Sequence, residues 1–359
     1  MAHNGDWVTP QLWGQPWFEK PAFLYWITAC GNLLGLSPDI AGRVPVALFS
    51  LGFLAAWFWL LSREFGQRAA AVATLLLAPS AAWLAYSGLC LTDVPLTIFY
   101  SLAVALALSL LIEGSVGTTT RWLLIGAAFA LAALSKGLLP LVLSAPFLWF
   151  LRRHWRRWPV AILAFLVIAA PWYTLVIARN GFAFIEVFFL RQQFSRLYSE
   201  SLQHVQPVYF YIPILLGCLF PWTPLLAILD PREWRRDTRL LFLACIFLFG
   251  FVFFSVSRNK LPGYLLPLLP CLFALIGQRF EKFQLGDLSK GVVIACAALI
   301  AIIPLLASFI PLLFTTKITS VQQVLLAARP ITGTDLVFFV TPLLIAVFAN
   351  RNVAPVLLC

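Results

Sequence analysis

Residues 152–178 read RRHWRRWPVAILAFLVIAAPWYTLVIA. Four arginines stand in the first six positions, and no Asp, Glu, Lys or Arg occurs from Trp158 to Ala178. A helix crossing the hydrocarbon core of a bilayer needs about 20 apolar residues, and this run is long enough. Arginines packed directly before such a run mark the side that stays in the cytoplasm. Ten further apolar stretches follow the same grammar: 40–62, 69–89, 94–112, 122–135, 137–151, 207–229, 239–256, 262–278, 291–314 and 334–350. The stretch 22–36 is shorter and bracketed by Pro21 and Pro38, which suits an interfacial or re-entrant helix. The expected fold is an all-α polytopic membrane protein of about 11 transmembrane helices.

Composition agrees. Of the 359 residues 62% are hydrophobic and 11% charged, and the mean hydropathy is +0.92. A soluble enzyme, a coiled coil and a disordered chain are excluded. The net charge of +11 is dispersed in short loops, so it does not point to nucleic acid. No zinc-finger, Rossmann or phosphate-loop spacing is present. The seven cysteines form no C-x-x-C pair and read as small apolar side chains.

Charge also orients the loops. Arg63/Arg68, Arg121, Arg152–Arg157, Arg232–Arg239, Arg279–Lys290 and Arg351 fall on one side, the cytoplasm. Residues 1–39, the loop 179–206, the turn 257–261 and the loop 315–333 then face the other. Arg121 and the 152–157 cluster share a side, so 122–151 must cross twice. Two helices of about 21 Å each result at 1.5 Å per residue. Lys136 and Gly137 would sit at a turn sunk below the outer surface. An external 1–39 with no signal peptide before it suggests that a helix is missing upstream. The domains expected are a periplasmic juxtamembrane segment, 1–39, a transmembrane domain, 40–350, and a tail, 351–359.

The unusual polar residues collect on the external side. They are Asp6, Glu19-Lys20, Asp93, Lys136, the loop with Arg191, Arg196 and His204, and the turn Ser257-Arg258-Asn259-Lys260 before Leu261-Pro262-Gly263-Tyr264. Ionisable groups at membrane depth are costly, which makes them functional candidates. A cavity lined by Lys20, Lys136, Arg258 and Lys260 suits the phosphate of a lipid. Glu19 and Asp93 could orient sugar hydroxyls, bind a metal or take a proton. Plainer readings stand beside these: Lys20 and Arg258 snorkel to headgroups, Asp93 caps a helix, Glu19-Lys20 is a surface pair, and His204 is a lone loop histidine. Trp7, Trp13, Trp17 and Trp26 suit a helix lying on the membrane surface.

Taken in order, Gly5-Asp6-Trp7-Val8-Thr9-Pro10, Phe18-Glu19-Lys20-Pro21, Arg43-Val44-Pro45, Leu91-Thr92-Asp93-Val94-Pro95, Ser135-Lys136-Gly137, Ala170-Pro171-Trp172-Tyr173, Phe220-Pro221-Trp222 and the turn through Tyr264 resemble the bacterial aminoarabinose-transferase-like glycosyltransferases. These sit with the protein O-mannosyltransferases in the membrane-embedded GT-C class. The resemblance covers roughly residues 4–280. It implies a helical bundle with a periplasmic amphipathic segment in the bacterial inner membrane, with its active site facing the periplasm. It implies a sugar donor on undecaprenyl phosphate, a lipid, glycan or protein acceptor, and no nucleotide. Residue by residue, it implies that Lys20 binds donor phosphate and that Tyr264 faces it. It implies that Asp93 lies near the reacting centre as the catalytic carboxylate, and that Glu19 and His204 form a zinc pair. Arg258, Lys260 and Lys136 join the donor-phosphate set by their charge and side. The family's acidic residue ahead of the G-D-W motif has no counterpart in this chain, and Trp17 replaces the usual tyrosine. Two other readings remain at this stage: a transporter or flippase for lipid-linked sugars, and an inactive truncated remnant.

Overall fold

The computed structural model describes residues 1–2, 4–112, 117–194, 206–282, 291–292 and 294–302. They divide into two compact units. One comprises Met1–Cys218 with Asp230–Glu281, the other Leu219–Leu229 with the chain from Lys282 onward. Of the second unit, 223–228 form a 3-10 turn and 291–292 and 294–302 are helical. The expected span at 334–350 lies outside the described residues, as does most of 291–314.

The first unit opens with a small hairpin, β1 (Gln11–Leu12) and β2 (Gln15–Pro16), in register Gln11 with Pro16. Trp13 and Gly14 both take positive φ at its tip, the geometry of a tight two-residue turn. Helices follow: α1 (Phe23–Leu33), α2 (Arg43–Phe65), α3 (Gln67–Leu77), α4 (Ala81–Ser87), α5 (Asp93–Leu108), α6 (Thr119–Lys136), α7 (Leu139–Leu143), α8 (Ala145–Phe150), α9 (Trp158–Phe184), α10 (Tyr211–Leu219), α11 (Thr238–Val256) and α12 (Leu269–Lys282).

Among the described residues five helices are long and apolar enough to cross a membrane, or six if α3 and α4 count as one bent span. Their burial differs. The apolar windows of 93–111 and 262–280 are 83% buried inside the structure, whereas those of α2 and the helix through α9 are 28% and 22% buried. The first two are therefore the inner helices, and α2 and α9 turn leucines and phenylalanines outward, as a lipid-facing surface requires. Glycine sets the closest approach between α6 and α9: a Cβ on Gly126 would lie 2.0 Å from the Ala161 carbonyl oxygen. Only a residue without a side chain lets the two backbones meet there.

Three expectations are corrected. The stretch 69–89 is not one helix: α3 and α4 meet at 66° across Ala78-Pro79-Ser80, because proline cannot continue the helical hydrogen bonding. The stretch 137–151 is two short helices with Ser144 between them. The run 207–229 is α-helical only over Tyr211–Leu219, which ends directly before Phe220-Pro221. The external tryptophans are also differently placed. Trp7, Trp13 and Trp17 belong to the hairpin segment, and only Trp26 lies on α1.

Candidate active site

Gly137 ends α6 with φ +77° and donates its N–H to the Ala133 carbonyl, in a backbone conformation that glycine adopts readily and other residues rarely do. Lys136 is thus the last residue of α6, and Asp93 is the first of α5. A cation at a helix C-terminus and an anion at an N-terminus are both favoured by the backbone dipole. The structure joins them: the Lys136 Nζ lies 2.5 Å from the Asp93 Oδ1, with side chains 9% and 15% exposed. Asp93 is therefore not a helix cap. The residue before the helix is Thr92, and no side chain caps that end. Lys136 and Gly137 thus form a turn at the end of α6, and the lysine is buried in the protein.

Tyr264 completes the group. The Lys136 ammonium lies over its ring, 4.6 Å from the centroid, and the ring packs on Phe254 at 5.5 Å. A cation over an aromatic face is attracted by the ring quadrupole, more so when desolvated. In the turn just before it, Lys260 is buried and donates to the Ser257 carbonyl at 2.5 Å and the Gln206 carbonyl at 2.9 Å. Burial holds its ammonium below the ordinary lysine value. Arg258 is exposed, so the cations of this turn split: Lys260 is held in and Arg258 faces out. Tyr86 escaped the sequence reading. A Cβ on Gly263 would lie 2.7 Å from its ring, so the glycine before Tyr264 is what lets Tyr86 pack on this turn. That glycine was its only sequence signal.

Lys20 and Glu19, both part-exposed, lie between two aromatic anchors. Phe18 meets Phe184 at 5.4 Å and Phe23 meets Phe99 at 5.0 Å. Tyr25 on α1 is pushed up to about 12 by burial and by the Glu19 charge. The G-D-W-V-T-P stretch proves to be a clasp. Asp6 accepts from the N–H groups of Val8 and Thr9 and from Arg179, the last at 2.8 Å. Asn180 donates to the Thr9 hydroxyl and Trp172 to the Val8 carbonyl. Burial alone would raise the Asp6 carboxyl, but these donors outweigh it and hold it below its ordinary value. His204 lies outside the described residues. Among the described residues no group of three or more His, Cys, Asp or Glu side chains could hold a metal ion.

Residues 19–177 match the family described as dolichyl-phosphate-mannose-protein mannosyltransferase. An undecaprenyl phosphate-alpha-4-amino-4-deoxy-L-arabinose arabinosyl transferase of Pseudomonas aeruginosa is 34% identical over 308 residues, 80% of this chain and 54% of the relative. A protein of the same name from Erwinia tasmaniensis is 28% identical over 328 residues, 85% of this chain and 59% of the relative. The crystal structure of ArnT from Cupriavidus metallidurans bound to undecaprenyl phosphate superposes with a TM-score of 0.81 at 28% identity. That match covers all of this chain and 67% of the other. The chain is similar to these transferases in sequence and in fold. It spans about half the length of the curated relatives it matches. The apo ArnT structure gives 0.77 at 27% identity. The Asp93, Lys136 and Tyr264 group stands where three of the motifs read from the sequence converge.

Proposed function

We propose that this chain is the membrane-embedded part of a glycosyltransferase. It would move a sugar from a polyprenyl-phosphate donor to a lipid A-like, glycan or protein acceptor on the periplasmic face of the bacterial inner membrane. The buried Asp93–Lys136 pair under Tyr264 carries the reading. A lysine so far from water is expensive unless an anion balances it. Asp93 supplies that anion and fixes the ammonium, leaving its remaining N–H groups for a phosphate oxygen. In the transfer, an acceptor oxygen bonds to the anomeric carbon while the bond from that carbon to the phosphate oxygen breaks. The electron pair leaves with the polyprenyl phosphate, and the acceptor's proton passes to a base. Charge grows on the phosphate, and preorganised cations at low dielectric stabilise it. Lys136 does so first, joined by Lys20, Arg258 and Lys260. No nucleotide is needed, because the carrier lipid is the leaving group.

The same reading gives the chain eleven spans, 1–39 and 179–206 as periplasmic segments with 1–39 amphipathic, 40–350 as the transmembrane domain and 351–359 as a tail. Glu19 with His204 would hold zinc, which would orient substrate oxygens; no step of the transfer is routed through it. The relatives' names and the undecaprenyl phosphate of the structural neighbour support the donor class. The test is an assay of membranes carrying the protein with a labelled undecaprenyl-phosphate sugar. Label is expected on an acceptor. Label that stays on its carrier while crossing sealed vesicles would contradict a transferase and favour a flippase.

A further inference from the structure

A cavity of about 210 Å³ opens between α6, α8 and α9, with Phe129, Phe147, Leu148, Leu151, Trp158 and Ile162 among its walls. It is separate from the candidate active site. Phe129 lies seven residues before Lys136 along α6, about 10 Å at 1.5 Å per residue, and Trp122, also in its wall, lies about 21 Å away. Its other end is the arginine cluster, since Leu151 and Trp158 directly bracket Arg152–Arg157. The Trp158 indole donates to the Leu151 carbonyl at 3.2 Å and ties that mouth together.

The arginines at this mouth have different duties. Arg153 is committed to the carbonyls of Leu110 and Ile112, both at 3.0 Å. Arg152 and Arg156 are exposed and rest on the Trp149 and Trp155 rings, at 4.1 and 5.6 Å. Arg157 reaches the Thr119 hydroxyl at 3.5 Å. Among the described residues no carboxylate is paired with Arg152, Arg156 or Arg157. Guanidinium groups on interfacial tryptophans above an apolar slot match an anion on an alkyl chain. The guanidinium fork fits phosphate oxygens, and basic clusters beside membrane helices select anionic headgroups.

We propose that this groove holds an acyl chain of an anionic phospholipid from the leaflet at the arginine-rich end, its phosphate held by Arg152, Arg156 and Arg157. The lipid wedges α8 against α9 and so steadies the outer wall of the bundle. Its phosphate sits at the end of the bundle remote from Lys136, which distinguishes it from a polyprenyl-phosphate donor.

The experiment is native mass spectrometry and thermal melting of the purified protein with dioleoyl phosphatidylglycerol or dioleoyl phosphatidylcholine. One phosphatidylglycerol is expected to stay bound and to raise Tm by several degrees more than phosphatidylcholine. The variant Arg152→Gln/Arg156→Gln/Arg157→Gln should lose that preference. Leu148→Trp, at a position more than half exposed and therefore tolerant, should lose the bound lipid by filling the slot. Ile162→Trp is its duplicate if Leu148→Trp expresses poorly. Equal effects of the two lipids, or retention of phosphatidylglycerol by the groove-filled variant, would overturn the proposal. So would displacement of that lipid by polyprenyl phosphate at equal concentration, which would assign the groove to the donor's tail.

Discussion

The two ends of the first unit treat their cations in opposite ways. At one end arginines do the fastening. Arg239 reaches the Glu64 carbonyl at 2.6 Å and Asp237 at 2.8 Å, Arg279 pairs with Glu233 at 2.6 Å, and Arg153 ties down the chain after α5. Arg239 and Arg279 keep about a quarter of their surface in solvent. At the other end the arginines Arg179 and Arg258 stay exposed, and the cations that are buried among the described residues are lysines, Lys136 and Lys260. A guanidinium is a weakly hydrated planar fork that satisfies several carbonyls at once, whereas an ammonium is a compact, strongly hydrated charge. Arginine therefore suits fastening at an interface. A lysine drawn inside and balanced by one carboxylate suits a site that must grip an anion. The positive-inside pattern and the proposed phosphate site are thus different uses of positive charge.

The largest test of that contrast is Lys136→Met. It leaves Asp93 buried without its partner, a change that costs about 3–5 kcal/mol. Yield and Tm should fall sharply, and transfer should vanish. Adding Asp93→Leu should restore folding without restoring transfer. Next comes Arg239→Met at the opposite end, which strands the Glu64 carboxylate, only 10% exposed. Melting should register a loss of about 1–3 kcal/mol, with turnover per folded molecule unchanged. A matching loss of turnover would erase the distinction between the ends.

Two pH effects are smaller. Lys260 is held below the ordinary lysine value by burial, so the folded state binds this proton less tightly than the unfolded chain. Its contribution to stability rises as pH climbs from the folded value to the ordinary one. Lys260→Met should flatten that alkaline rise in a melting series. Asp6 is held below its ordinary value of 3.8. Its stabilising contribution is complete above that value and is lost as pH falls through the folded one. Asp6→Asn should shrink the acid-induced drop in Tm and leave neutral turnover intact.

Much of this was legible because apolar runs bounded by charge give α2, α5, α6 and α11 to within about four residues at each end. The breaks carried their own signal, which hydropathy overrode: Pro79, Pro146 and Pro221 each stand where a continuous apolar run stops being a continuous helix. The sharing of one side by Asp93, Lys136 and Tyr264 followed from parity and loop charge. Their mutual contact did not, because it depends on how α5 and α6 slide against each other. Asp93 before Val94-Pro95 looked like a cap for the same reason. The role of Asp6 was hidden too, since its partner Arg179 is 173 residues away in the chain.

The central claim, that the Asp93–Lys136 pair forms the phosphate-gripping centre of a sugar transferase, is tested by one rate. The protein expressed from its intact gene, and its Asp93→Leu/Lys136→Met variant matched for folded yield, would be given a labelled undecaprenyl-phosphate sugar and the initial rate of label transfer measured. The account predicts ready transfer by the parent and a rate at least about 100-fold lower in the variant, the scale of losing one preorganised charge donor. Equal rates would show that the buried pair only holds two helix ends together.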